Sequence, residues 1–126
     1  MSGQSPDWVT SCVSFDLKQS LYPNPPMFAY LHLPLHFLIP AGVAWLFFRS
    51  RWPTVALWMC ATLLVDLDHL LANPVYDPDR CSIGFHPLHS WTAIGVYIAL
   101  LFPASTRVIA IGLLIHMALD GLDCAL

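Results

Sequence analysis

Four long apolar runs dominate this 126-residue chain: about Phe28 to Phe48, Trp52 to Leu71, Leu88 to Phe102, and Arg107 to roughly Leu122. Apolar stretches near 20 residues match the ~30 Å hydrocarbon layer of a bilayer when they are helical. Composition agrees, with 57% of residues hydrophobic and 10% charged, against roughly 25% charged in an ordinary soluble domain. The expected fold is all-α, a polytopic membrane protein whose four transmembrane helices form an antiparallel bundle, with no length left for an appended soluble domain. The last two runs are short, about 15 to 16 residues or ~23 Å of helix, which suits a locally thinned bilayer or extension to Cys124.

Residues 1–27 form a polar, proline-dotted tail (Pro6, Pro23, Pro25, Pro26) without the basic start and apolar run of a cleavable signal peptide, so the first spanning helix is the expected membrane signal. Residues 28–126 are the expected membrane domain. Arg49-Ser50-Arg51 and Pro103 to Thr106 are tight links that force antiparallel neighbours, whereas Ala72 to Pro87 is a real loop carrying Asn73-Pro74, Asp77-Pro78 and Gly84. Arg49, Arg51 and Arg107 fall at the tight links, with only Lys18 and Arg80 on the other side. That bias puts the tight turns in the cytoplasm and the tail, the long loop and the C-terminus outside. Trp8, Trp45, Trp52, Trp58 and Trp91 read as interfacial or lipid-facing anchors. Gly112, Gly121, Ala41 and Gly42 permit close helix contacts, within the chain or in a homodimer. Five Lys and Arg against eight Asp, with no basic run, leave no footprint for nucleic acid. Membrane lipids are the expected surroundings.

All six His lie inside or at the ends of these runs, where an ionisable group is expensive and marks a functional site by default. His32 and His36 fall in the first half of helix one; Asp66, Asp68 and His69 at the end of helix two; His86 and His89 at the start of helix three; His116, Asp120 and Asp123 at the end of helix four. In an up-down-up-down bundle these places share one membrane face. Spacing of three or four within His32/His36, Asp66/His69, His86/His89 and His116/Asp120 puts each pair on one helix face. Asp68 lies about 200° around an α-helix from Asp66, so both reach one site only if helix two unwinds near its end. His86-Pro87 places His86 as a cap-like residue at a helix entry.

His and Asp without Glu or a Cys pair form a borderline-hard donor set suited to Zn, Fe(II) or Mn, and so many donors suggest one or two ions, with carboxylates holding His rings around them. Cys60 reads as an apolar filler, and Cys81 and Cys124 share the site's side, as a disulfide or as two free thiols. Arg80, beside Tyr76, Asp77 and Asp79 in the long loop, reads as an anion holder or as a solvated loop charge.

A His in helix one, then Val65-Asp-Leu-Asp-His69, His86-Pro-Leu-His89-Ser90 and His116-Met-Ala-Leu-Asp120 resemble the small bacterial membrane-bound metal-dependent hydrolases, described as similar to zinc-dependent phospholipase C. The resemblance covers about Leu35 to Cys124. It implies metal ligation by His36, Asp66, Asp68, His69, His86, His89, His116 and Asp120, with zinc as the first expectation and one or two ions. His36 fits its pattern better than His32. Two departures stand out: Val65 replaces a proline, and the His86 to His89 string is two residues short and lacks an arginine. The implied location is the bacterial inner membrane, multi-pass, and the Lys and Arg bias puts the site on its outer, periplasmic side.

The expected activity is hydrolysis of a phosphoester or other ester of a lipid-like substrate arriving laterally from the bilayer. In it Asp68 serves as general base or bridging carboxylate, and His86 or His89 protonates the leaving group. The rival readings are a membrane di-iron oxidoreductase acting on acyl chains and a non-enzymatic metal-binding membrane protein with a closed coordination sphere.

Overall fold

The structure is a computed structural model that describes residues 27–75, 77 and 80–125. The expectations for the tail up to residue 26, with Trp8, Cys12 and Lys18, and for Tyr76 and Asp79, lie outside the described residues. Regular structure among the described residues is wholly helical. Three helical stretches are long and apolar enough to cross a membrane: Tyr30–Phe47, Trp52–Leu71 and Arg107–Ala125.

The first helix, α1, spans Met27–Phe47 and contains Pro34 and Pro40. The next, α2, spans Trp52–Ala61 and follows the Arg49-Ser50-Arg51 turn with Pro53 in its first turn, where no intrahelical partner awaits an N–H. It then tightens into a 3-10 segment, Thr62–Leu71, ten residues in a geometry that seldom persists beyond about four. At its entry Thr62 Oγ1 donates to the Met59 carbonyl at 2.6 Å, a side-chain bond that competes with the helical ladder and bends helices.

Three residues per turn sort this segment into three stripes. Thr62, Val65 and Asp68 are buried, Leu63, Asp66 and His69 are partly buried, and Leu64, Leu67 and Leu70 are exposed. The expected obstacle for Asp68 thereby disappears, because at ~120° per residue Asp66 and Asp68 occupy adjoining stripes. Both flank the interior.

The third apolar run departs from the expected spanning helix. Its α-helix, α3, covers only Trp91–Ala99, roughly 14 Å of rise. The reason is local. Pro87–His89 forms a separate 3-10 turn, Ser90 is extended and caps α3 by accepting from the Ala93 N–H at 3.2 Å, and Pro103 lies just beyond the far end. The last helix, α4, spans Arg107–Ala125. Its start closes the tight link: Arg107 Nε donates to the Leu101 carbonyl at 2.9 Å, and Thr106 Oγ1 to the Leu100 carbonyl at 2.7 Å. These bonds satisfy carbonyls that a helix end leaves without partners.

Helix α1 packs on α2 and α4, α2 on α4, and α3 on α4. Ala44, Val55, Ala56 and Met59 form one small apolar core, and Val65, Tyr97, Leu113 and Met117 a second, nearer the 3-10 segment. The outer surface is the more apolar one, with Leu33, Leu38, Leu46, Leu57, Leu64 and Phe102 all exposed, while His36, Asp68, His86, His89, His116 and Asp120 are buried. Water as solvent would favour the reverse.

A disulfide joins Cys81 in the loop to Cys124 near the end of α4, resolving the alternatives open at those positions. Maleimide labelling after reduction is expected to add two adducts beyond those of the untreated protein, read by intact mass. No added mass would place the two sulfurs apart.

Candidate metal centre

Three segments deliver the central donors: the 3-10 run supplies Asp66, the Pro87–His89 turn supplies His89, and α4 supplies His116 and Asp120. The turn is held against its neighbours by Tyr97, whose hydroxyl donates to the Leu88 carbonyl at 2.8 Å, and by Gly84, whose N–H donates to the His89 carbonyl at 2.9 Å. Gly84 adopts φ +83°, a conformation open to glycine and strained for other residues.

Donor atoms in this group crowd one point. Asp66 Oδ1 is 3.0 Å from His116 Nε2 and 3.4 Å from His89 Nε2; the two Nε2 atoms are 3.3 Å apart; Asp120 Oδ2 is 3.0 Å from His89 Nε2 and 3.3 Å from His116 Nε2. Ligands about 2.0 to 2.1 Å from a tetrahedral ion stand ~3.3 Å from one another, so these residues fit such an ion. Asp120 Oδ2 is buried and makes no hydrogen bond, as expected of an oxygen waiting for a cation. The His/Asp groups are positioned to hold a metal ion.

Asp68 sits behind this group. Its Oδ2 accepts from the Leu88 N–H at 2.8 Å and lies 3.1 Å from His89 Nδ1, and its Oδ1 is 3.1 Å from His69 Nδ1. With Nδ1 donating to Asp68, a neutral His89 turns a bare Nε2 toward the group, the carboxylate-histidine arrangement that fixes the tautomer of a metal ligand. The Asp68→Asn variant is therefore expected to bind metal about 10- to 100-fold more weakly, measured by competition with a chromophoric chelator. Unchanged affinity would remove Asp68 from this role.

His69 contacts Asp68 through Nδ1 and Ser82 Oγ, at 3.1 Å, through Nε2, so both ring nitrogens have partners around the centre; it also belongs to a group with Asp68 and His89. His86 is buried and stacks on His69 with ring centroids 3.9 Å apart, outside the His/Asp groups found among the described residues. Its extended backbone caps the Pro87–His89 turn, as the following proline demands. Burial first, then the neighbouring His69, holds the His86 imidazole below its usual pKa. Arg80 donates to the Pro74 carbonyl at 2.8 Å and lies over the Phe85 ring, so the loop itself occupies its guanidinium.

His36 meets the four-donor group at the other oxygen of Asp120: its Nε2 is 3.2 Å from Asp120 Oδ1. Beside it stands His32, which the family pattern passed over, with Nε2 3.3 Å from the same oxygen. The i, i+4 spacing of His32 and His36 was the signal available for it. Asp123 Oδ1 lies 4.0 Å from His32 Nδ1.

Among the described residues, fold and site together define an all-helical arrangement with three apolar helices of membrane-crossing length and His/Asp groups arranged for a metal ion. Residues 27–126 match the model of DUF6122, a family of unknown function, and the chain belongs to that family. No curated protein matches the chain, and no solved structure does.

Proposed function

We propose that the protein is an integral membrane, metal-dependent hydrolase acting on a phosphoester or other ester of a lipid-like substrate at the membrane surface. The observation that carries this reading is the convergence of Asp66, His89, His116 and Asp120 at tetrahedral spacing. An all N and O donor set favours zinc, with manganese or iron as alternatives. An ion held by this His/Asp cluster with one position left open would lower the pKa of a bound water to about 7 and polarise the ester.

The chain's own groups supply position and access. Asp68 holds His89, and both of its oxygens are engaged in doing so, which leaves it an orienting carboxylate rather than the expected base. Asp66 is the donor with real exposure, 41% of its side chain. With Phe37, Leu64, Leu67 and Leu70 it lines an open groove of about 390 Å³. An acyl chain suits that groove, and a carboxylate beside it suits a cation near the chain's head.

In the membrane, α1, α2 with its 3-10 extension, and α4 cross the bilayer; α3 with the Pro87–His89 turn completes the antiparallel bundle of four. The Cys81–Cys124 bond supports placing the site's face outside the cytoplasm, since disulfides persist in oxidising compartments.

Zinc-loaded protein incubated with vesicles of phosphatidylglycerol and phosphatidylethanolamine is expected to release phosphorylated headgroup or fatty acid, and chelated protein neither. A zinc-loaded wild type that leaves both lipids intact sinks the reading. One observation favours a second reading, a non-enzymatic protein whose helices an ion holds together: four protein donors fill a tetrahedron, as in structural zinc sites. That protein would lose its fold on chelation and show no turnover when loaded.

A further inference from the structure

We infer that His32, His36 and Asp120 form a second metal centre, open where the first is closed, and that the water and ester of the proposed hydrolysis meet there. The assignment of the reaction rests on the hydrolase reading; the assignment of the ion rests on geometry alone.

Asp120 divides its carboxylate between two sets of imidazoles. Oδ2 faces His89 and His116 at 3.0 and 3.3 Å, while Oδ1 faces His36 and His32 at 3.2 and 3.3 Å. The second pair of distances again matches the ~3.3 Å edge of a tetrahedral site. One carboxylate thus presents an oxygen to each of two cations.

The His36 ring gives the independent sign of a missing ligand. Its side chain is buried, and its Nδ1 lies 2.9 Å from the His32 carbonyl, which only accepts, so Nδ1 carries the proton. That leaves Nε2 to face Asp120 Oδ1, buried and without a hydrogen bond of good geometry. A bare nitrogen facing a carboxylate oxygen at 3.2 Å is repelled, so a cation, either a proton or a metal ion, lies between them, and the ion count decides which.

The two centres differ in donor count, and that difference divides their work. Asp66, His89, His116 and Asp120 complete a tetrahedron, whereas His32, His36 and Asp120 leave a position for water or substrate, the pattern of catalytic zinc. The His32 side chain is 26% exposed, so the open position lies toward the accessible end of the site. Hydrolysis there adds water across the ester: its oxygen bonds to phosphorus or the acyl carbon, the bond to the leaving oxygen breaks, and a water proton ends on that oxygen. No redox partner is required.

The full-length protein in detergent, dialysed against cobalt(II) and desalted, is expected to hold about two ions per chain by mass spectrometry, His36→Ala about one, and Asp120→Ala close to none. Azide added to the cobalt-loaded wild type is expected to shift its visible absorption, and added to His36→Ala to leave it unchanged. The azide arm on the wild type guards against a variant that fails to fold. One ion per chain in the wild type, an azide-insensitive spectrum, or a His36→Ala variant with the wild-type count each overturns the second centre. Two ions with azide sensitivity but intact phospholipid vesicles leave the centre standing and overturn only the hydrolase reading.

Discussion

His116→Ala is expected to strip the purified protein of the ion in the four-donor centre. The ring nitrogen Nε2 of His116 lies within 3.3 Å of all three other donor groups, Asp66, His89 and Asp120, so removing it opens the middle of the group rather than its edge. It also leaves His89 as the one imidazole of the group between the Asp66 and Asp120 carboxylates. Removing one partner from a fully buried ionic pair costs about 3 to 5 kcal/mol, and the loss here falls below that because Asp66 is 41% exposed and His89 still faces both carboxylates. The loss in metal affinity is expected to exceed the ~10- to 100-fold of an outer-shell substitution such as Asp68→Asn. Zinc content after desalting measures the first effect, and unfolding by titrated SDS the second. His86→Ala is the matched control: His86 is a buried histidine of the same sequence cluster, yet it stacks on His69 outside the His/Asp groups, and the variant is expected to keep its ion. Equal metal loss in both variants would return His86 to the ligand set that the family resemblance implied.

Gly112→Ala is expected to damage stability and metal binding together. A methyl group at Gly112 would stand 2.9 Å from the Met59 Cα, 2.9 Å from Thr62 Cγ2 and 3.1 Å from the Met59 carbonyl oxygen. Two of these neighbours are backbone, so rotating a side chain brings no relief, and α2 must move away from α4. Overpacking of this kind costs about 1 to 3 kcal/mol. The contact lies at the junction where α2 becomes the 3-10 segment that carries Asp66, while His116 and Asp120 sit one and two turns further along α4. Separating the helices therefore stretches the donor group. SDS unfolding and zinc affinity are expected to fall together, and a Gly112→Ala protein with wild-type values of both would show that α2 and α4 do not touch here. Gly42, with open space around it, is the contrast: Gly42→Ala meets nothing within 4 Å.

Several parts of this arrangement were legible along the chain because they depend on local chemistry. Proline after His86 dictates an extended residue and then a helical turn, and the structure has His86 at φ −83°, ψ 149° capping Pro87–His89. Cys81 and Cys124 were placed on one side by topology, but whether their sulfurs meet depends on how the loop folds over α4. His32 was harder to place. Its spacing to His36 put both on one face, yet the family pattern favoured a single histidine, and only the approach of α4 shows Asp120 meeting both rings.

The sequence by itself determined that the chain is helical, that its apolar surface faces outward, and that His and Asp from distant segments gather at one end. Those properties follow from apolar run length, from three- and four-residue spacing, and from links too short to allow anything but reversal. The tertiary structure alone decided which nitrogen of each histidine faces the centre and which carboxylate stands behind a ring rather than in the four-donor group. An imidazole's role is set by the partner of its other nitrogen: Asp68 for His89, the His32 carbonyl for His36. It also decided the period of the segment after Ala61. A sequence read at ~100° per residue sets Asp66 and Asp68 on opposite faces, whereas the 3-10 winding from Thr62 turns Asp66 toward the four-donor centre and places Asp68 directly behind His89.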